Sequence, residues 1–105
     1  MEAIFVELRA CNPERNCSRA WRIAIDRDLF GELVADVTFG RIGKAGRTQR
    51  RHCSNENEAK ALLKLGLMRR STAKRRIGVD YVVTAYSALA IGYIKDCGLH
   101  IQWRS

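Results

Sequence analysis

The sequence predicts an α+β fold in which an antiparallel sheet of four to five strands packs against one long α-helix. Apolar and polar residues alternate in several short segments, which is the pattern of half-buried strands. Residues 59–67 instead repeat apolar side chains at helical spacing. Turn-forming residues separate these segments, and a length of 105 residues suits one domain.

The first two predicted strands run over residues 3–10 and 20–27. Every second residue of the first strand is apolar. The same spacing in the second strand groups three candidates for the core, namely Trp21, Ile23 and Ile25. The turn cluster at residues 12–16 holds the only proline, where a missing N–H does no harm.

The third and fourth predicted strands cover residues 33–42 and 47–53. A Gly-Lys-Ala-Gly turn joins them as a hairpin, since glycine supplies the positive φ that such a turn needs. The fourth strand has polar residues on both faces. It is therefore either a sheet edge guarded by charge or a surface that meets a charged partner.

Phe39 has two possible environments. It ends an apolar stripe formed by alternate residues of the third strand, which favours a place in the core. Along an unbroken strand, however, Phe39 and Arg41 point the same way and Gly40 points the other way. An aromatic ring beside a guanidinium would form a binding surface, and both alternatives stay open.

The predicted helix begins after Ser54 or Asn55, either of which can cap it. Its apolar stripe packs on the sheet. The sequence predicts a final strand over residues 77–83. Residues 84–105 could form an extra helix and strand covering a sheet edge, a dimer contact or a poorly ordered tail.

Charge is concentrated in the middle of the chain. The formal net charge is +8, yet residues 41–76 alone carry +10, with 12 Lys/Arg against 2 Asp/Glu. Such a block usually faces nucleic acid or an anionic membrane. The longest apolar-leaning run, residues 85–94, is too short to span a bilayer, so we predict nucleic acid as the partner and no membrane.

The residue types argue against an enzyme, a cofactor or a metal centre. The four cysteines form no C-x-x-C pair, and neither histidine stands at zinc-ligand spacing. No phosphate-loop or nucleophile-elbow motif occurs. The chain opens without a continuous apolar run, so we predict a cytoplasmic protein with reduced thiols.

The hairpin resembles the WGR domain, a family named for a Trp-Gly-Arg tripeptide and known from the poly(ADP-ribose) polymerases and small bacterial proteins. The matching residues are the Phe-Gly-Arg-Ile-Gly run from Phe39, then Gly46, the helix opening from Ser54, and Tyr81. Phe39 replaces the family's tryptophan, which keeps an aromatic face and loses the indole N–H donor. The resemblance covers about residues 4–83, so we predict a WGR-like domain over residues 1–83 and an extension over 84–105 that packs on it.

The resemblance implies that Phe39 contacts the terminal sugar of a DNA break and that Arg41 contacts the nearby phosphate. The polymerases add a catalytic domain in the same chain, and this chain has none, so no ADP-ribosyl transfer is implied. We predict a non-enzymatic module that binds DNA ends, nicks or single strands. The predicted site residues are Phe39, Arg41, Lys44, Arg47, Arg50, Arg51, Lys60 and Lys64. The alternative is a protein-interaction module that docks an acidic partner, or dimerises, through residues 84–105.

Overall fold

One six-stranded sheet organises the computed structural model, which describes residues 2–102. The strands are β1 (Ile4–Asn12), β2 (Cys17–Arg27), β3 (Leu33–Arg41), β4 (Arg47–Cys53), β5 (Val82–Tyr86) and β6 (His100–Ile101). Their order across the sheet is β4-β3-β2-β1-β5-β6. All neighbours are antiparallel except β5 and β6, which are parallel.

Three helices and two 3₁₀ turns complete the described residues. The helices are α1 (Glu56–Ser71), α2 (Lys74–Ile77) and α3 (Ile91–Asp96), and the 3₁₀ turns cover Pro13–Arg15 and Ala88–Ala90. Helix α1 begins where predicted, because the Asn55 side chain accepts a hydrogen bond from the Glu58 N–H at 2.9 Å. That bond satisfies one of the N–H groups that a helix start leaves without a partner.

The core lies between the sheet and the helices. Paired residues of antiparallel strands project from the same face of the sheet. The apolar residues that alternate with polar ones along each strand therefore lie together on one face. The fully buried side chains there include Val6, Leu8, Ile23, Ile25 and Val83. From the other side, Leu63 and Leu67 of α1 and Ile94 of α3 close the same cluster.

The opposite face of the sheet carries paired charges. Arg50 donates two hydrogen bonds to Asp36, at 2.9 and 3.0 Å, and Arg9 pairs with Glu7 at 3.2 Å. The hydrogen bonds from Arg50 lower the pKa of Asp36 below its ordinary value. An antiparallel sheet with one packed face and one solvated face is the arrangement that the alternating sequence predicted.

The α+β class is confirmed, and two details of the prediction were wrong. The sheet has six strands, because β5 and β6 join it beyond β1. The helical part comprises three short helices, the longest being the 16 residues of α1, and not one long helix alone.

The predicted strand over residues 77–83 also needs correction. Residues up to Ile77 form α2, and Gly78 ends that helix with a left-handed φ of 76°. The strand then begins at Val82 and continues to Tyr86, across the predicted boundary between residues 83 and 84. In the described part of the chain, no helix combines the length and apolar character needed to cross a membrane.

Candidate nucleic-acid interface

Phe39 lies in a row of side chains that crosses three strands on the helix-covered face. The register pairs it with Trp21 of β2 on one side and with Arg47 of β4 on the other. The next row along the strands pairs Arg41 with Arg19. Residues two apart on a strand are about 6.8 Å apart. Phe39 therefore has Arg47 beside it on the neighbouring strand and Arg41 at the next position of the same face along β3.

Phe39 is exposed although it continues the apolar stripe of β3. Its exposed fraction is 36%, whereas that of its neighbour Trp21 is 3%. The difference comes from α1, whose Gly66 lies directly on the Trp21 ring; a Cβ at Gly66 would be 2.6 Å from ring atom Cζ2. At this row the helix therefore covers Trp21 and leaves the Phe39 ring accessible.

Two glycines hold the hairpin close behind Phe39. A Cβ on Gly40 would lie 2.8 Å from the Gly46 Cα, and a Cβ on Gly46 would lie 2.8 Å from the Phe39 carbonyl oxygen. Gly46 also has a left-handed φ of 74°. The glycine between Phe39 and Arg41 is thus required because the turn backbone crosses directly over it.

A cavity of about 600 Å³ opens beside Phe39. Its lining includes the aromatic residues Trp21, Phe39 and Tyr81 and no carboxylate among the described residues. Five arginines from five secondary-structure elements surround it, and we call this cavity the arginine pocket: Arg15, Arg19, Arg41, Arg70 and Arg76. Uncompensated guanidinium groups around a concave site create a positive potential that attracts an anion.

Local contacts hold the pocket arginines in place. The Arg15 guanidinium packs on Gly78, where an added Cβ would be 2.6 Å from Nη1. Arg41 donates to the Asn16 side-chain oxygen at 3.3 Å. Arg76 donates to the Thr72 hydroxyl at 2.9 Å and also to the Arg69 carbonyl oxygen. None of these acceptors is a carboxylate, so the positive charges stay available for a ligand.

Arg70 connects the helix to the aromatic row. Its guanidinium carbon lies 4.4 Å from the centroid of the Trp21 ring, within cation–π range. Burial lowers the pKa of Arg70 below its ordinary value, and the nearby Arg69 and Arg76 lower it further. An arginine nevertheless stays protonated in proteins, so Arg70 is a fixed cation at the floor of the pocket.

A second, smaller cavity of about 190 Å³ lies on the other side of Phe39. We call it the side groove. It runs between α1 and the β3–β4 hairpin and is lined by Val37, Leu62, Leu65, Arg51 and Arg69, among others. Phe39 lines both cavities, so the ring stands between a basic pocket and a groove with an apolar floor and two more arginines.

The structure groups four of the eight predicted site residues. Phe39, Arg41, Arg47 and Arg51 alternate along β3 and β4 and share the helix-covered face. Lys44 lies in the exposed turn next to them, where its N–H donates to the Arg41 carbonyl oxygen.

The other three predicted residues lie elsewhere. Arg50 alternates with Arg51 and therefore projects from the opposite face, where it pairs with Asp36. Lys60 and Lys64 lie on the flank of α1 away from the side groove, since residues two apart on a helix point in widely different directions.

Sequence reasoning missed much of the arginine pocket. Trp21 was predicted only as core, and Arg15, Arg19, Arg70 and Arg76 were not among the site residues. The basic residues in the last turn of α1 and in α2 were a usable signal, because the run over residues 69–76 is too dense in charge to be buried. The contribution of β1–β2 turn residues such as Arg15 had no signal, since it depends on how the turn meets Gly78.

One group of side chains has spacing suitable for a metal ion, although the sequence predicted none. Ligand atoms of Asp28, Glu32 and His52 lie within 4.8 Å of one another, with His52 Nδ1 3.2 Å from Glu32 Oε2. Both partners of that contact are mostly exposed. The group lies at the end of the sheet away from the arginine pocket and is separate from it.

Comparison with known proteins identifies the family. The model of the WGR domain matches residues 5–74, which include the hairpin, α1 and the start of α2. The match ends before Tyr81, so the last part of the predicted resemblance lies outside it. Searches of curated proteins and of solved structures gave no match. The matched span is about two thirds of the chain, and the protein belongs to the WGR domain family.

Proposed function

We propose that this protein is a non-enzymatic nucleic-acid-binding module that holds the end of a DNA strand, at a terminus or a nick, or a single strand. WGR domains are known as nucleic-acid-binding modules in proteins related to the poly(ADP-ribose) polymerases. The family is a binding domain and not a catalytic one. For this chain, the proposal depends on the side chains that its own surface exposes.

The main observation behind the proposal is that the exposed Phe39 ring is surrounded by arginine side chains. Phe39 is accessible, and two cavities lined by arginines adjoin it. Cations that neutralise phosphates release counterions and supply affinity without sequence information. An aromatic ring stacks on a base or sugar only where a nucleotide is unpaired or terminal, and each such stack is worth about 1–3 kcal/mol.

The geometry suggests a role for each residue. Phe39 would stack on the last nucleotide, and Arg41, Arg19 and Arg70 would surround its phosphate in the arginine pocket. The strand would then leave along the hairpin, where Lys44, Arg47 and Arg51 contact successive phosphates. Arg50, Lys60 and Lys64 are not part of this proposed surface, because they project in other directions.

The test is a titration of labelled single strands, nicked duplexes and intact duplexes over a series of salt concentrations. About four phosphate contacts predict a slope of log K against log salt of about −3.6 for a duplex and about −2.8 for a single strand. We also expect tighter binding to single strands and nicked duplexes than to intact duplexes whose ends are blocked. Binding that is absent, or that does not change with salt, would contradict the proposal.

A further inference from the structure

The turn between β2 and β3 carries two large apolar side chains that no part of residues 2–102 covers. Leu29 is 101% exposed and Phe30 is 89% exposed. Single exposed apolar residues are ordinary on protein surfaces, but two adjacent ones at the tip of a hairpin form a projecting apolar knob. We call it the Leu29–Phe30 tip.

The tip is held in a fixed shape. One oxygen of Asp28 accepts hydrogen bonds from the N–H groups of Phe30 and Glu32, both at 2.9 Å. Main-chain bonds between Asp28 and Glu32 at 2.8 Å, and between Gly31 and Asp28 at 3.0 Å, close the turn, and Arg27 donates to the Gly31 carbonyl oxygen at 2.8 Å. A preorganised knob loses little conformational entropy when it binds.

The tip and the arginine pocket are complementary. Around the tip, residues 26–32 hold three carboxylates and one arginine. The pocket has the opposite character, with five arginines around an apolar and aromatic lining and a volume of about 600 Å³. That volume is within the usual range for a site that takes a group of this size. A tip with an acidic collar matches a pocket with a basic lining, and the exposed Phe39 ring at that pocket offers an apolar contact.

The two surfaces lie too far apart to meet within one molecule. They are at opposite ends of β2, whose 11 residues extend about 34 Å. We propose that the Leu29–Phe30 tip of one molecule inserts into the arginine pocket of a second copy of this chain. Such a head-to-tail contact uses two different surfaces and extends into an open chain of molecules.

The net charge of +8 opposes self-association but does not prevent this contact. At physiological ionic strength charges are screened beyond about 8 Å, so the local charges at the contact count more than the distant ones. The contact is small and belongs to the weak, transient class of interface. Nucleic acid in the arginine pocket would displace the tip, so binding and self-association compete for one site.

The experiment is sedimentation velocity over a wide range of protein concentrations. The tip variant is Leu29→Ser with Phe30→Ser, and the socket variant is Arg19→Glu with Arg41→Glu. All four side chains are exposed, so both variants should fold. Leu89→Ser is the matched control, because it removes an exposed leucine that belongs to neither surface.

We expect the wild type and Leu89→Ser to form a concentration-dependent series of oligomers, and each double variant alone to stay monomeric. An equimolar mixture of the two double variants should form a dimer and nothing larger, because one intact tip meets one intact socket. A symmetric dimer differs in the wild type, which would then stop at two copies. A wild type that stays monomeric, a tip variant that still associates, or a mixture without dimers would overturn the inference.

Membrane insertion of the tip is the competing outcome. Binding of the wild type, but not of the tip variant, to phosphatidylserine vesicles with no oligomers in solution would overturn the self-association. The nucleic-acid proposal is tested separately, since the tip variant keeps the arginine pocket intact. At protein concentrations where the wild type is monomeric, the tip variant should bind single strands as the wild type does.

Discussion

At the scale of single residues, the exchange of tryptophan for phenylalanine in the family signature has a definite physical meaning. A phenyl ring still offers a face for stacking, but it has no N–H to donate. The arginines around Phe39 supply donors that the ring lacks, because Arg47 flanks it and Arg41 follows on the same face. The proposed site would therefore use stacking by the ring and charge from its neighbours.

Arg47 and Arg50 test which face of the sheet binds nucleic acid. Arg47→Ala should reduce the magnitude of the salt slope by about one unit, since one phosphate contact is lost. Arg50→Ala removes the same charge from the opposite face, where Asp36 already neutralises it, and should leave the slope unchanged. The measurement is anisotropy of a labelled single strand against salt. Equal effects of the two substitutions would show that binding does not distinguish the faces.

Gly66 tests the contact that leaves Phe39 uncovered. Gly66→Ala should destabilise the fold by about 1–3 kcal/mol, because the new methyl group would overlap the buried Trp21 ring. Helix propensity alone predicts the reverse, a gain of up to about 1 kcal/mol. The free energy of unfolding, measured in urea, decides between steric destabilisation and the gain in helix propensity. Gly92→Ala is the control, as a Cβ there meets nothing within 4 Å, and it should be neutral or stabilising.

At the scale of elements, the first four strands and the cap of α1 could be predicted, because each has a local pattern. Alternation marks β1 to β3, and the Gly-Lys-Ala-Gly turn marks the β3–β4 hairpin. Residues 77–83 were assigned wrongly, because the short apolar run at residues 81–83, which follows the basic end of α2, carries no clear period. The left-handed Gly78 that separates α2 from β5 is visible only in the fold.

The cap of α1 is worth a measurable amount of stability. Asn55→Ala should lower the free energy of unfolding by about 0.5–2 kcal/mol, because the Glu58 N–H loses its acceptor. Asn57→Ala, an exposed position inside the first turn, should have little effect. Urea unfolding followed by circular dichroism measures both. If the two substitutions cost the same, Asn55 does not act as the cap.

At the scale of the whole molecule, the basic charge of the middle of the chain divides between several surfaces. The hairpin arginines alternate between faces, and α1 turns Lys60 and Lys64 away from them. Composition predicted the charge block but not this division, because the division depends on strand pleat and helix rotation. The arginine pocket likewise depends on a register, Trp21 opposite Phe39, that no local pattern specifies.

The most direct test of the account compares an open-ended duplex with the same duplex whose ends are blocked by streptavidin on terminal biotins. The wild type should bind the open form about fivefold or more tightly, the lower range of one stacking contact. Phe39→Trp, which restores the family residue, should keep that preference. Phe39→Ala should lose it while its salt slope stays the same. Equal affinity of the wild type for both duplexes would contradict end recognition by Phe39.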